Sequence, residues 1–390
     1  MGRNKIITRT ILLISLVSFF NDIASEMLYP IMPVYLKSIG FSIALIGILE
    51  GIAEATAGIS KGYFGNLSDK TGKRLPFVQI GYLLSAISKP LMAFFTAPLW
   101  IFAARTFDRL GKGVRTSARD AILSDETTAE YKARVFGFHR AFDTLGASVG
   151  PVLALIYLYF YPEQYKWLFV IAFAPGLFSI IITFFIKEKK SIHKPIKKPG
   201  FFSYLSYWKI AGKNYKMLLI GLLAFAFFNS SDAFLLLLLK SKGLSDIQMI
   251  GVYIFYNLVY ALLSMPIGIL ADKIGMKKIL VFGLISFAIV YLGMTFSYEI
   301  WHFALLFFVY GIYAASTEGV SKALITNITD KSNTATAIGF YTSFLSIFTM
   351  IASSIAGVLF MIDPRYMFVF SGIGVAFVAI YFLMIKINEK

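Results

Sequence analysis

The sequence of 390 residues contains no cysteine and only three histidines, and charged residues make up 15% of it. The absence of cysteine excludes disulfides, thiolate metal sites and cysteine nucleophiles, and three scattered histidines leave little material for a metal site. An average soluble domain is roughly 45–50% apolar and about 25% charged. Because this chain is 58% hydrophobic, its composition excludes a water-soluble globular protein.

Apolar segments long enough to cross a membrane recur along the whole chain. A spanning helix needs about 20 apolar residues, and these segments lack the period-two alternation of an outer-membrane barrel. We therefore predict an all-α polytopic membrane protein with twelve transmembrane helices. They cover residues 9–37, 42–65, 75–96, 98–123, 134–159, 166–187, 216–240, 246–268, 279–297, 300–326, 334–361 and 366–386.

The formal net charge of +16 lies mostly in the connections between these spans. Connections on one side are rich in Lys and Arg, so the positive-inside rule predicts that both termini are cytoplasmic. This location of the basic residues disfavours nucleic acid as a partner. The first apolar segment has no small-residue cleavage site before Asn21 and Asp22, which favours an uncleaved first helix over a secretory signal.

A long polar interruption divides the chain between the sixth and seventh spans. Its run of lysines between Lys187 and Pro199 is typical of a solvated cytoplasmic linker with affinity for anionic lipid headgroups. A plain connector and a regulatory segment are both open interpretations of this stretch. We predict an N-terminal six-helix bundle over residues 1–187, a basic linker over 188–215 and a C-terminal six-helix bundle over 216–390.

Short motifs of the first half recur in the second half. The segment FFN occurs at 19–21 and at 227–229, and KSIGFS at 37–42 recurs as KSKGLS at 240–245. The longest repeat pairs GNLSDKTGKR at 65–74 with GILADKIGMKK at 268–278. Two halves of six spans in the same orientation imply two bundles around a pseudo-two-fold axis normal to the membrane, with a substrate site near the midplane.

The repeated motif carries a family resemblance. Gly65-x-Leu67-Ser68-Asp69-x-x-Gly72-Lys73-Arg74 is close to the G-x-L-A-D-x-x-G-R-K pattern of the major facilitator superfamily, and the chain resembles its transporters over nearly all of its length. The resemblance implies rocker-switch alternating access, without enzymatic activity or a cofactor. It also implies a conformational latch, for which a static turn is the alternative, at Gly65, Asp69, Gly72, Lys73, Arg74, Gly268, Asp272 and Gly275.

Two weaker motifs refine the resemblance toward prokaryotic drug or metabolite:proton antiporters. Arg109-x-x-Lys112-Gly113 in the fourth span resembles R-x-x-Q-G, and Gly146-x-x-x-Gly150-Pro151 in the fifth span resembles the G-x-x-x-G-P pattern of antiporters. A small-residue packing face with a proline kink accounts equally well for the second motif. The direction of transport therefore leans toward export.

Charged residues inside the predicted spans are concentrated in the first half. Each costs roughly 2.5–3.5 kcal/mol at the bilayer centre on insertion scales, so such residues are functional candidates. Acids and bases are nearly balanced, which favours a structural network of ion pairs. The alternative is that a carboxyl group beside a base loses and regains a proton as access alternates. The candidates for proton coupling, in order, are Asp22, Glu26, Arg109, Asp108, Glu54 and Glu50.

The second half has few charges within its spans and many aromatic residues. A cavity with one charged wall and one aromatic wall suits an amphipathic organic solute, whose apolar body stacks on rings. Lipid-facing aromatic residues are the alternative. The predicted substrate-binding residues are Arg105, Lys112, Tyr29, Asp232, Tyr256, Tyr310, Tyr313 and Thr317.

These patterns favour a secondary transporter that exchanges protons for a small amphipathic organic compound. Uptake of an organic anion or siderophore-like chelate, drawn by the basic stripe of the fourth span, is the alternative, and a lipid-handling or receptor protein of the same fold is a third. No phosphate-binding loop of the G-x-x-x-x-G-K-[ST] type occurs, so ATP drive would need another subunit. We expect a monomer in contact with lipid in a bacterial or archaeal cytoplasmic membrane.

Overall fold

The structure is a computed structural model that describes residues 6–188 and 200–389. Most of the predicted linker's basic run, at 189–199, lies outside the described residues. Within them every regular element is helical. The α-helices are α1 (Arg9–Glu26), α2 (Met32–Ser38), α3 (Ile43–Thr71), α4 (Leu75–Phe94), α5 (Pro98–Asp125), α6 (Lys132–Phe160), α7 (Tyr165–Thr183), α8 (Tyr207–Ile210), α9 (Lys213–Phe228), α10 (Ala233–Ser241), α11 (Asp246–Ile274), α12 (Met276–Met294), α13 (Ile300–Ile328), α14 (Thr334–Ile362) and α15 (Pro364–Met384).

These helices confirm an all-α polytopic membrane protein. Nine helical segments in the described part of the chain are long and apolar enough to cross a membrane by length and composition. The other predicted spans correspond to α1 with α2, to α3 and to α5. Those spans are the ones that contain most of the intramembrane charges, so their low hydropathy coincides with the candidate functional residues.

Two of the predicted spans are discontinuous helices. The first span breaks between α1 and α2, next to Pro30 and Pro33, and proline disrupts helical hydrogen bonding. The seventh span breaks between α9 and α10, which the sequence analysis did not predict. The residues of that break, Asn229 to Asp232, are all polar and short, and such side chains compete with helical backbone hydrogen bonds. The amide of Ala233 indeed faces the Ser231 hydroxyl, 3.4 Å away.

The repeated motif lies largely within a helix rather than in a connection. Helix α3 continues past the predicted end at residue 65 as far as Thr71, so Asp69 occupies its last turn. Gly72 ends the helix with a φ of 66°, a left-handed conformation that glycine adopts without steric cost. The connection itself is therefore only three residues long, from Gly72 to Arg74.

The described chain forms two compact units. Unit 1 comprises residues 1–127, 142–207 and 330–343, and unit 2 comprises 128–141, 208–329 and 344–390. Helices α6 and α14 thus each contribute one part to either unit. The division of the sequence into two bundles joined by a linker stays a prediction, and the units are described separately below.

Each unit contains the same four helix pairings. In unit 1, α5 packs against α3 and α4, and α7 packs against α1 and α4. In unit 2, α13 packs against α11 and α12, and α15 packs against α9 and α12. The internal sequence repeat therefore has a counterpart in the packing of the helices. An apolar cluster of unit 1, which includes Met27, Leu28 and Phe169, is buried among α1, α2 and α7.

Candidate functional site

Ion pairs connect α3 with α5 in unit 1. The Arg105 guanidinium donates to both carboxylate oxygens of Glu50, at 2.8 Å each, and to Asp108 Oδ2 at 3.2 Å. Planar two-point pairing of this kind is the strongest geometry available to an arginine–carboxylate pair. Arg105 is 6% exposed, so the pair is largely shielded from water.

The same network includes further members from α4 and α5. Lys89, which is 2% exposed, lies 3.8 Å from Asp108 and donates to the Ser85 carbonyl at 2.8 Å. Arg109 lies 3.2 Å from Glu54 Oε1 and 4.0 Å from Glu50. Four of the predicted proton-coupling residues, Glu50, Glu54, Asp108 and Arg109, are therefore held in ion pairs.

The two acidic residues of α1 have different surroundings. Asp22 accepts a hydrogen bond from the Asn21 amide at 3.1 Å and shares another with the carboxyl group of Asp143. Glu26 forms no ion pair or hydrogen bond within residues 6–188 and 200–389. Both side chains are only partly buried. Arg109 therefore pairs with the acids of α3, and within the described residues it forms no ion pair with Asp22 or Glu26.

Close packing of α6 on α1 brings Asp143 to Asp22. A Cβ atom at Gly146 would collide with the Phe19 carbonyl and lie 3.2 Å from Asp22 Cβ. A Cβ atom at Gly150 would lie 2.7 Å from the Ile23 carbonyl. A side chain larger than hydrogen at Gly146 or Gly150 would therefore push α6 away from α1. Pro151 follows within the same continuous helix.

Two predicted substrate contacts of unit 1 are accessible. The Lys112 and Tyr29 side chains are both exposed, and within the described ranges neither has an ion pair or hydrogen bond from its side-chain polar atom. Arg105, the third predicted contact, is already saturated by Glu50 and Asp108. An anionic group could therefore reach Lys112 more readily than Arg105.

Asp232 follows the break in the seventh span, in unit 2. Its Oδ1 accepts a hydrogen bond from the Tyr310 hydroxyl at 2.7 Å. Within the part of the chain that the structure describes, no cation lies within salt-bridge distance of this carboxylate. Asp232 is partly buried. It therefore differs from Glu50 and Glu54 of α3, which are paired with arginine side chains.

Aromatic rings surround this carboxylate. The Tyr310 ring lies 4.9 Å from Tyr256 and 5.0 Å from Tyr313, centroid to centroid. All three are at most 6% exposed, so they line the inside of unit 2 and do not face lipid. Thr317 packs nearby, but its hydroxyl donates to the Tyr313 carbonyl within its own helix at 3.0 Å, which leaves it less suited to bind a substrate.

The repeated motif caps a second helix in unit 1. Asp69 Oδ2 accepts from the Thr336 amide at 2.7 Å and from its hydroxyl at 2.9 Å, at the first turn of α14. Arg74 donates to Asp69 at 2.9 Å and also pairs with Asp125. A carboxylate at a helix N-terminus is favourable because it satisfies free amides and complements the helix dipole. Gly65 permits the approach, since a Cβ atom there would collide with the Ala335 carbonyl.

The duplicate motif makes the equivalent contact in unit 2. Asp272 accepts from the amides of Ala133 and Arg134, each at 2.9 Å, at the first turn of α6. A Cβ atom at Gly268 would collide with the Ala133 carbonyl. Gly275 has a φ of 108°, a positive backbone angle that favours glycine, as it does at Gly72. Lys73 is exposed and makes no side-chain contact of this kind in the described ranges.

Sequence reasoning missed several contributing residues. Asp143 lies in the fifth predicted span, three residues before Gly146, but is not among the candidates named from the sequence. Thr336 is an ordinary helix start in the sequence, and only the fold shows that Asp69 reaches it. Within residues 6–188 and 200–389, no three His, Asp or Glu side chains are placed to hold a metal ion.

Known proteins match the chain over nearly its full length. A sequence model described as Major Facilitator Superfamily matches residues 14–256 and 243–390. An uncharacterized MFS-type transporter of Methanocaldococcus jannaschii is 33% identical over 373 residues, 94% of this chain and 92% of the relative.

Two solved structures are similar in fold. The human organic anion transporter MFSD10 matches with a TM-score of 0.81 at 16% identity, covering 96% of this chain and 99% of that one. The E. coli fucose:proton symporter FucP matches with a TM-score of 0.80 at 12% identity, covering 97% and 99%. At these identities the likeness concerns the fold alone.

Proposed function

The chain belongs to the Major Facilitator Superfamily of membrane transporters, and we propose that it exchanges protons for a small amphipathic organic compound by alternating access. We propose export as the direction, in the cytoplasmic membrane of a bacterium or archaeon, with both termini on the cytoplasmic side. The protein acts as a monomer in this proposal.

The observation that carries the proposal is the division of the acids in unit 1 into two groups. Glu50, Glu54 and Asp108 are paired with Lys or Arg side chains. Asp22 and Glu26 have no such cation in the described part of the chain. An ionised carboxylate without a cation is costly at membrane depth, so a bound proton is the simplest way to neutralise it.

The hydrogen bond between Asp22 and Asp143 supports this assignment. Two carboxyl groups can share a hydrogen bond only if one of them holds a proton, since two adjacent ionised carboxylates repel each other. Arg119 lies 3.8 Å from Asp143, and Arg115 and Lys112 add positive charge around Asp22 and Glu26. Movement of these bases during transport changes which carboxyl group retains the proton.

The capping contacts of Asp69 and Asp272 serve as latches in this proposal. Each contact joins the end of one helix to the first turn of another through charge-assisted hydrogen bonds. Such contacts can break as a unit and re-form, which gives the transporter two discrete arrangements.

Proton release from the purified protein tests the proposal. A pH-sensitive dye reports protons released when lipophilic amines, neutral drugs, organic anions or siderophores are added one at a time. We expect release with at least one amphipathic compound, and its loss in Asp22→Asn or Glu26→Gln. Glu54→Gln is the matched control, because Glu54 lies in the same unit but is paired with Arg109; it should retain release.

A second candidate function is uptake of an organic anion. The observation that favours it is the exposed Lys112 side chain, which has no ion pair within the described ranges. In that case anions bind the wild-type protein, Lys112→Met abolishes the binding, and Asp22→Asn leaves it unchanged. That pattern, together with no proton release by any compound, would overturn the antiport proposal.

A further inference from the structure

The break in the seventh span contains hydrogen-bond acceptors that the described residues of unit 2 do not satisfy. Between α9 and α10 four residues, Asn229 to Asp232, lie outside the two helices. Irregular backbone at membrane depth is tolerated mainly where it lines a cavity or binding site. The prolines that would explain a purely mechanical kink are absent from this stretch.

Asp232 supplies the first acceptor. One carboxylate oxygen accepts from Tyr310 at 2.7 Å, and the other, Oδ2, has no partner in the part of the chain that the structure describes. The hydrogen bond from a buried tyrosine fixes the orientation of the carboxylate. It does not neutralise the charge, because tyrosine contributes a dipole and not a cation.

Asn229 supplies the second acceptor, three residues earlier in the chain. Its side-chain oxygen Oδ1 is buried and has no hydrogen-bond partner among the described residues. Its amide nitrogen lies 3.4 Å from the Tyr313 hydroxyl, which holds the side chain in place only loosely. A buried acceptor without a donor is unfavourable, so an arrangement that leaves one unsatisfied calls for a donor from a bound ligand.

The aromatic residues around these acceptors favour positive charge. Tyr256, Tyr310 and Tyr313 present ring faces whose quadrupole is negative, and such a face attracts a nearby cation. Another acid of the same unit, Glu318, interacts electrostatically with Asp232 but is paired with Arg140 at 3.4 Å. The negative charge of Asp232 is thus not offset by a neighbouring base.

We propose that Asp232 and Asn229, with the tyrosines Tyr256 and Tyr310, form a recognition site for a protonated amine that carries an aromatic or bulky apolar group. An ammonium group with N–H bonds supplies both the positive charge for Asp232 and the donors that Oδ2 and Asn229 lack. A quaternary ammonium supplies only the charge, and an alcohol supplies only a donor. The assignment of this amine as the transported substrate rests on the function proposed above.

A matched series of ligands tests the site by equilibrium binding. The series is 3,3-diphenylpropylamine, its N,N,N-trimethyl derivative, 3,3-diphenylpropanol and 3,3-diphenylpropionate, which share one apolar body. Calorimetry on the full-length protein in nanodiscs at pH 7, without a proton gradient, measures each affinity. We expect the primary amine to bind most tightly, the quaternary compound more weakly, and the alcohol and carboxylate at least tenfold more weakly than the amine.

Variants assign the binding to the two acceptors. Asp232→Asn keeps the shape and the acceptor for Tyr310 but removes the charge, and should weaken amine binding at least tenfold. Asn229→Ala should bring the affinities of the primary and quaternary amines to within about twofold of each other, whatever their absolute values. Glu318→Gln is the matched control, because that acid already has a basic partner; it should change amine affinity less than twofold.

Two outcomes would overturn the site. Equal affinity for the amine and the alcohol would show that charge is not recognised, and unchanged amine binding in a folded Asp232→Asn protein would place recognition elsewhere. Failure here is distinguishable from failure of proton coupling. Proton release by other compounds with no amine binding refutes only the site, whereas tight amine binding without proton release refutes only the antiport proposal.

Discussion

The two units share their helix pairings but differ in whether the acids within their spans are paired with basic side chains. In unit 1, Arg105 holds Glu50 and Asp108, and Lys89 completes the network from α4. In unit 2, Asp232 receives only a tyrosine hydroxyl in the described part of the chain. A duplicated set of helices can therefore keep its packing while one copy pairs its acids with bases and the other leaves an acid without a basic partner.

The largest expected effect is the removal of a buried base from unit 1. Arg105→Leu leaves Glu50 with only the 4.0 Å contact to Arg109 and leaves Asp108 with Lys89 alone, and breaking a buried pair costs about 3–5 kcal/mol. We expect a drop of many degrees in the thermal unfolding midpoint measured in detergent. Arg140→Leu in unit 2 should cost under about 1 kcal/mol, because its partner Glu318 is half-exposed.

Equal destabilisation by these two substitutions would contradict the contrast between the units. It would mean that ion pairs contribute to cohesion in both. Lys89→Met provides an intermediate case, since Asp108 then still has Arg105. Its midpoint should fall between those of the two arginine variants.

A smaller effect is expected where helices touch through glycine. Gly65→Ala and Gly268→Ala insert a methyl group against the carbonyls of Ala335 and Ala133, and such overpacking costs about 1–3 kcal/mol. Because the affected contacts are the proposed latches, transport should fall as well. The controls Gly51→Ala and Gly251→Ala lie on the same helices, α3 and α11, with open space around the added Cβ, and should be neutral or slightly stabilising.

Much of the fold could be predicted from the sequence because the membrane simplifies the problem. Long apolar runs determine the number of spans, and the prolines near residue 30 mark the break in the first. The break in the seventh span was missed since Asn229 to Asp232 contain no proline, and four short polar residues inside an apolar run carry a weaker signal than proline does.

The candidate site was less predictable than the spans. The sequence identifies which residues are charged within spans, but not which acid meets which base, because partners come from different helices. Glu50 and Arg105 are 55 residues apart, and nothing local distinguishes Glu50 from Glu26. The packing of α6 on α1, which brings Asp143 to Asp22, likewise depends on tertiary structure.

Removal of either of two further helix caps is expected to lower stability modestly and by a similar amount. Glu188 accepts from the amides of Arg74 and Leu75 at the start of α4, and Glu389 accepts from those of Met276 and Lys277 at the start of α12. Replacing either glutamate by alanine should cost about 1 kcal/mol. Both variants should lower the unfolding midpoint by a similar amount, whereas Glu130→Ala, on an exposed side chain, should leave it unchanged. Unequal losses would show that the caps are equivalent in geometry only.

The smallest expected effect on stability is that of Asp232→Asn. The amide keeps an oxygen for the Tyr310 hydroxyl and removes a charge that has no described counter-ion, so the unfolding midpoint should stay constant or rise. Natural proteins retain such locally unfavourable groups where function needs them. A loss of stability as large as that of Arg105→Leu would make Asp232 a structural residue and remove the distinction between the units. An unchanged unfolding midpoint together with lost amine binding would show that the Asp232 carboxylate serves ligand binding, because it would then contribute nothing to the stability of unit 2.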